Sequence, residues 1–407
     1  MGNVESHGIE PPSLPPLDQL LPAEPLLLMG AGPVPVATDI ARAGGMVINH
    51  LGPTMDRLVE HIKQLASYAF QTGDEHILGV GGPASAAMEM AMGNLLWPGR
   101  RALVLQNGWF SGRFAEMAAG VGAEVEVLAV PEGQAICAER VAERLKNQHY
   151  DVVTMVQGET SSGVCTTELP AIARLCREHG ALAVVDAVCT LSTMPLEKDA
   201  WDVDVVFTGS QKGLSSLPGV ALIAFSDVAW EQVQQHPGPR PHWCLDALRA
   251  ENFWQQHQYH YTAPVSGLLA LHEALRLVCE ETLERRFARH RHSSLALQAG
   301  IEKMGLVLAA PRPIRLNSVV AIQVPAGVDS ARVRADMSNR FHVEISGAFG
   351  LDIVRIGQMG EQCRAPHLFR VLHALGGALT HEGASVDTSA GMAALESYLA
   401  RCEDDVM

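Results

Sequence analysis

Short, continuous apolar runs recur along this chain, separated by stretches of helical period. The runs cover 102–105, 125–130, 152–156, 182–185, 203–207 and 220–225. They are rich in Val, Ile, Leu and Ala and, apart from Glu126 and Asp204, largely free of charged residues, as expected of strands buried on both faces. Between them, helical spacing covers 85–96, 112–121, 138–147 and 169–179. Buried strands separated by helices predict a parallel sheet covered on both sides. Residues 265–304 read mostly as helix, long enough to bridge two domains. Beyond them 318–324, 342–346 and 354–356 alternate as in a half-exposed sheet, and 366–379 is helical again. The pattern predicts an α/β chain with an extended arm over 1–25, a large domain over 26–285 and a smaller C-terminal α+β domain over 286–407.

Composition narrows the function. Hydrophobic residues make up 47% and charged residues 18% of the 407, enough apolar material for a large core. The net charge of −15, with no Lys/Arg run, argues against a nucleic-acid partner. No apolar stretch reaches the roughly 18 residues of a membrane span, so none is expected. The eight cysteines stand singly, without a C-x-x-C pair, and read as reduced thiols in a reducing compartment. Six prolines in residues 1–25 describe an extended arm rather than a signal or transit peptide. Met1–Ser6 fits a loose myristoylation pattern, but Glu5 and the lack of a polybasic second signal argue against it. A cytoplasmic protein is the expectation.

Ligands of open parallel sheets bind beyond the carboxyl ends of the strands, so the residues there are the first candidates. The run at 182–185 ends in Asp186. The run at 152–156 leads into Glu159-Thr160-Ser161-Ser162-Gly163, and that at 203–207 into Thr208-Gly209-Ser210-Gln211-Lys212-Gly213. Alone, Asp186 reads as a helix N-cap and Lys212 as a solvated charge. Together they are harder to dismiss. The chain has only five lysines, and this one follows a buried strand with no acidic neighbour in sequence. A carboxylate, hydroxyls and a lysine at one edge suit pyridoxal phosphate. That cofactor needs a lysine for its aldehyde, an acid for its pyridine nitrogen, and hydroxyl and N–H donors for its phosphate.

Val184-Val185-Asp186-Ala187-Val188, followed by Thr208–Ser215 and Pro218-Gly219, resembles the class V aminotransferases of fold type I. Within them it is most similar to the alanine–glyoxylate and serine–pyruvate branch. The resemblance runs from about Leu27 to Leu379. It implies a mostly parallel seven-stranded sheet in the large domain, pyridoxal phosphate as cofactor, and a homodimer with shared active sites. It also implies an amino-acid donor and a small 2-oxo acid acceptor. By the same resemblance Lys212 carries the cofactor and Asp186 meets the ring nitrogen, with Val188 beside it. Phe110, in Asn107-Gly108-Trp109-Phe110-Ser111-Gly112-Arg113, stacks on the ring, and Ser161 lies next to it. Gln211 and the loop Pro83, Ala84 and Ser85 fall at the phosphate. Tyr259 and Thr262 reach the phosphate of the neighbouring subunit. Arg355, in Val354-Arg355-Ile356-Gly357, holds the substrate carboxylate, and Gly32 is on the substrate side.

The chain departs from the family in places. Gly82-Pro83-Ala84-Ser85 stands where Gly-Ser-Gly followed by His or Thr is common, and Pro83 has no N–H to donate. Ala31 replaces a usual proline in Gly30-Ala31-Gly32-Pro33, and Asn49-His50-Leu51-Gly52-Pro53 also differs. Other signals point elsewhere and are set aside. Gly79-Val80-Gly81-Gly82 lacks a P-loop lysine. His242, Cys244, His257 and His260 lack zinc spacing, so no metal is expected. His290 and His292 read as a solvated helix face. The rival on the same fold is a lyase or cysteine desulfurase, which typically carries His before the lysine and His on the ring. Here Gln211 and Phe110 stand there, and Cys363 falls after Arg355. A non-catalytic binding module is a third class, opposed by the Lys212/Asp186 pair.

Overall fold

The structure, a computed structural model, describes residues 11–401. Its centre is a sheet of seven strands: β1 (His76–Gly81), β2 (Arg101–Gln106), β3 (Glu124–Ala129), β4 (Val152–Val156), β5 (Leu182–Asp186), β6 (Val205–Gly209) and β7 (Val220–Phe225). Their spatial order is β1-β7-β6-β5-β4-β2-β3, and only β7 runs against its neighbours. Every residue of β4, β5, β6 and β7 is buried. Continuous apolar runs were therefore the right signal for them. All six parallel strands end on one edge, where the site lies.

One sheet strand had no sequence signal. β1 ends in the glycine-rich stretch set aside above, and its glycine makes room for an aromatic ring. A Cβ at Gly79 would stand within 2.6 Å of the Trp254 ring carbon Cη2. Glycine in a strand marks such a close approach. β6 begins two residues later than the pattern predicts. Asp204 is held at its entrance by side-chain bonds, accepting from the Ala183 N–H at 2.8 Å and the Ser226 hydroxyl at 2.9 Å.

A second core gathers residues from 296 to 395 together with Met29. Its sheet has strands Val319–Gln323, Ile353–Gly357 and Ser346–Gly347 in the order first, second, third, all antiparallel. The single alternating strand expected at 342–346 is two short ones. Val343–Glu344 pairs in parallel with Leu27–Leu28, whereas Ser346–Gly347 pairs with the strand that carries Arg355. Residues 27–29, which the pattern put at the head of the large domain, thus pack with the C-terminal unit. The expected bridge at 265–304 is two helices, Val265–Glu281 and Leu283–Lys303, broken at Thr282 with φ +69. Of the arm, residues 1–10, including the Met1–Ser6 pattern, lie outside the described residues. Residues 11–24 are exposed around a single turn at Leu17–Gln19. No helix of the described residues is long and apolar enough to cross a membrane.

Phe207, fully buried in β6, meets Phe114 edge-on at 6.0 Å between ring centroids. Phe207→Ala is expected to lower stability by about 3–5 kcal/mol in urea denaturation. A loss under about 1 kcal/mol would mean that this ring does not hold the sheet to its helices.

Candidate active site

Two helices start at the carboxyl edge of the sheet. The first, Ala84–Leu95, follows β1. Pro83 occupies its N-cap, where only a carbonyl is needed: the Ala86 N–H donates to the Pro83 carbonyl at 2.8 Å. The missing proline donor therefore falls outside the helix, and the Ala84 and Ser85 N–H groups are left without a backbone acceptor. Ser85 accepts from Arg113 Nη1 at 3.1 Å. β6 brings Gln211 to the same place, since a Cβ on Gly209 would touch both Ala84 Cβ and Gln211 Oε1 at 3.1 Å. That Gln211 oxygen is buried and has no partner among the described residues.

The second helix, Trp109–Gly120, follows β2 and is capped from another strand end. Glu159 is completely buried. Its Oε2 accepts from the Ser111 N–H at 2.9 Å and the Ser111 hydroxyl at 3.0 Å, and its Oε1 from the Ser161 N–H at 3.1 Å and hydroxyl at 2.6 Å. A carboxylate on free helix N–H groups is stabilised by those bonds and by the helix dipole. Ser161 also accepts from the Trp109 N–H at 3.1 Å. Phe110 and Ser161 are thereby locked side by side. Arg113 lies over the Phe110 ring at 4.8 Å. Phe349, from the small domain, stacks on Trp109 at 4.9 Å and meets Phe110 edge-on at 6.3 Å.

Asp186 and Lys212 come from the adjacent strands β5 and β6. Asp186 is buried, and its one hydrogen bond comes from the Val188 N–H at 2.8 Å. Burial pushes its pKa up to about 7; the Val188 bond and the Arg113 and Lys212 charges counter this, while Glu159 adds to it. Lys212 donates to the Ala31 carbonyl. Burial and the Arg355 charge hold its amine below the usual lysine range, against Cys189 and Asp186. Gly32 is required beside it: φ is +96 and a Cβ would stand 2.6 Å from the Lys212 Nζ. Arg355 is buried, and burial draws its pKa down to about 10. Its Nε and Nη2 donate to the Gly347 carbonyl, Nε at 2.7 Å, and its Nη1 to the Thr160 carbonyl at 2.7 Å. A guanidinium has five N–H donors, so with three engaged two are left, the number a carboxylate takes in a bidentate pair.

Tyr259 and Thr262 are not drawn into this site. Tyr259 is 60% exposed and Thr262 is exposed. It is Tyr261 that reaches the chain's own phosphate loop, accepting from the Gly81 N–H at 3.1 Å. Glu159, Arg113 and Phe349 were not singled out from sequence. The first two lie inside stretches that were read, but in a sequence a carboxylate bound to a distant helix looks like any other glutamate. Phe349 carries no local signal at all.

A family model described as Aminotransferase class-V matches residues 38–365. The chain belongs to that family. Alanine–glyoxylate aminotransferase of Rattus norvegicus is 32% identical over 388 residues, 93% of this chain and 94% of the relative. A crystal structure of ureidoglycine–glyoxylate aminotransferase from Bacillus subtilis superposes with a TM-score of 0.90 at 30% identity, covering 94% of this chain and all of that one. A crystal structure of pyridoxamine–pyruvate aminotransferase from Mesorhizobium loti does so at 0.88 and 29%, covering 93% and 97%.

The protein is thus a pyridoxal-phosphate-dependent class-V aminotransferase with the expected fold, and its own residues fit that cofactor. A buried carboxyl with a single donor suits a ring N–H. The Gln211 amide N–H and the Ala84 and Ser85 N–H groups suit a phosphate, and an amine whose pKa is lowered by burial suits an aldehyde.

The pKa of Asp186 makes a sign-specific prediction for the cofactor-free aminotransferase. A carboxyl raised from 3.8 to about 7 binds its proton better in the folded state. Stability therefore falls as pH rises between those values, by up to about 4 kcal/mol from this group. Asp186→Asn is expected to remove that slope and to be the more stable protein at pH 8 without cofactor. Parallel stability–pH curves for parent and variant would show that Asp186 is already ionised at pH 5.

Proposed function

We propose that this aminotransferase moves the amino group of a small, alanine- or serine-like amino acid to a small 2-oxo acid, glyoxylate or pyruvate. One observation carries the reading. Asp186 and Lys212 stand on neighbouring strand ends, both shifted toward neutrality, with Arg355 holding two donors in reserve. The named relatives, which act with glyoxylate or pyruvate, support the acceptor class.

When bound, pyridoxal phosphate supplies an aldehyde for amino groups and a ring that delocalises the electrons released at Cα. The protein's residues do the rest. Asp186 accepts the ring N–H and keeps that nitrogen cationic. Phe110 covers one ring face and excludes water. Ser85, Gln211 and the first N–H groups of Ala84–Leu95 bind phosphate. Arg355 would grip the α-carboxylate and so orient the substrate Cα–H bond. Lys212 would hold the aldehyde and, once freed by the substrate amine, would serve as the base and acid for the proton at the substrate Cα. A desulfurase would need a reactive thiol near Arg355. Cys363 is instead buried, with its pKa pushed up by burial to about 11.

The same reading makes the protein a homodimer in which Tyr259 and Thr262 complete the partner's phosphate site. Their exposure, beside His50 at 5.8 Å from the Tyr259 ring, supports it. A two-fold dimer would bury them.

Borohydride reduction and peptide mapping are expected to find the cofactor on Lys212; a label on Lys63, Lys146, Lys198 or Lys303 would sink the assignment. Arg355→Lys is expected to raise KM for the amino acid at least about tenfold, because the planar fork is lost. Amines lacking a carboxylate that react equally well with the parent enzyme would remove Arg355 from this role. Inactive Lys212→Ala chains mixed with inactive Tyr259→Phe/Thr262→Ala chains are expected to regain activity on subunit exchange. No recovery despite exchange would exclude shared sites.

A further inference from the structure

The helix Leu283–Lys303 buries Arg286, which had no sequence signal, and His290, which was expected on a solvated face. They face the loops behind the site. Arg286 Nε donates to the Ser192 hydroxyl at 3.1 Å, and Nη2 to the Gly213 carbonyl at 3.0 Å and the Ser215 hydroxyl at 3.3 Å. Gly213 and Ser215 follow Lys212, and Ser192 lies in the loop after Asp186. One guanidinium therefore ties together the two loops that carry the cofactor residues. Both serines are left-handed, with φ of +67 and +59, a conformation that costs a non-glycine residue energy and persists only where neighbours enforce it. Glu281 balances the charge, pairing with Arg286 Nη1 at 2.8 Å and with Arg289.

His290 extends the connection to the loop beyond the Arg355 strand. Its Nδ1 lies 2.7 Å from the Arg286 carbonyl, and its Nε2 accepts from the Gly360 N–H at 2.9 Å. A carbonyl can only accept and an N–H only donate, so both bonds together fix the neutral Nδ1–H tautomer. The expectation of a solvated histidine is corrected: its ring has no exposed surface, because the helix turns this face to the junction of the domains. Arg289 Nη1 holds the Gly360 carbonyl at 2.9 Å. Gly360 lies just beyond Ile353–Gly357, the strand of Arg355, and a Cβ there would collide with the Ser215 hydroxyl.

We propose that Arg286 and His290 act as one positioning unit that fixes the Asp186 and Lys212 loops relative to the Arg355 strand. The proposal rests on the roles assigned above to those three residues. It assigns Arg286 and His290 no contact with substrate or cofactor; they set the distance between the group that holds the cofactor and the group that holds the carboxylate.

Hydrogen exchange of the cofactor-loaded enzyme tests it, read on peptides spanning 209–217 and 353–362. His290→Asn keeps a donor where Nδ1 stands but leaves the Gly360 N–H unmet. It is expected to speed exchange in both peptides, and to raise KM for the amino acid about tenfold while kcat changes less than about threefold. His290→Gln, whose amide oxygen can take the Nε2 place, is expected to recover much of both effects. Ser192→Ala, a milder change at the far end, is expected to speed exchange in 353–362 as well, because coupling is reciprocal. Exchange confined to the mutated side in His290→Asn and Ser192→Ala, or a fall in kcat in proportion to folded protein with KM unchanged, would overturn the proposal. Should Lys212 not carry the borohydride label, the functional reading fails while the exchange coupling still stands or falls by itself.

Discussion

Two ionisable groups, Asp186 and Lys212, are held out of water at one edge of a sheet without forming an ion pair with each other. Everything around them serves to make that tolerable. Burial raises the carboxyl and lowers the amine, so each moves toward its neutral form in the same small volume. Such groups normally drift to the surface, neutralise or find a partner. Here a fixed backbone keeps them in place: strands β5 and β6 are buried over their whole length and end side by side. The stability that the large core provides is what allows two unpaired ionisable groups at its rim.

The surrounding electrostatics follow from the same constraint. Helix N-termini at the carboxyl edge present N–H groups, and each is given an acceptor or left facing the crevice. The Trp109–Gly120 helix is matched within the chain by Glu159, whereas the Ala84–Leu95 helix leaves the Ala84 and Ser85 N–H groups without an acceptor. That difference separates a structural helix start from a ligand-facing one. Arg113 runs between the two, bonded to Ser85 at one end of the site and stacked over Phe110 at the other.

How much of this was legible beforehand depended on the range of the interaction. Strands buried on both faces announce themselves in Val, Ile and Leu, and β2 through β7 were read within a few residues. β1 was not, because Gly79 serves Trp254, some 175 positions away, and its composition mimics a loop. Lys212 and Asp186 were legible because strand-end chemistry is local and lysine is scarce in this chain. Glu159, Arg113 and Phe349 were not, since each acts through a partner on another element. His290 was misjudged for the same reason: arginines beside it in sequence suggest solvent, yet its helix turns that face to the domain junction.

The site is divided between two cores, and that division sets a mechanical requirement. Asp186 and Lys212 belong to the first core, while Arg355 rides on a sheet of the second. A substrate held by its carboxylate on one body must present its Cα–H to an amine on the other, so the spacing of the two bodies decides whether both contacts are made at once. Surface loops could not hold that tolerance. Arg355 itself supplies one brace, by donating to Thr160 of the large domain as well as to Gly347 of its own. On the Arg355 side, Gln362 holds the segment that leads to Ala31, since its amide donates to the Gly30 carbonyl at 2.8 Å and its oxygen accepts from the Met359 N–H at 3.0 Å. Braces made of buried backbone bonds are rigid because an unmatched carbonyl or N–H in a dry junction is expensive to expose. The polar junction thus gives the two domains a defined spacing that an apolar contact of the same area, being non-directional, would not fix.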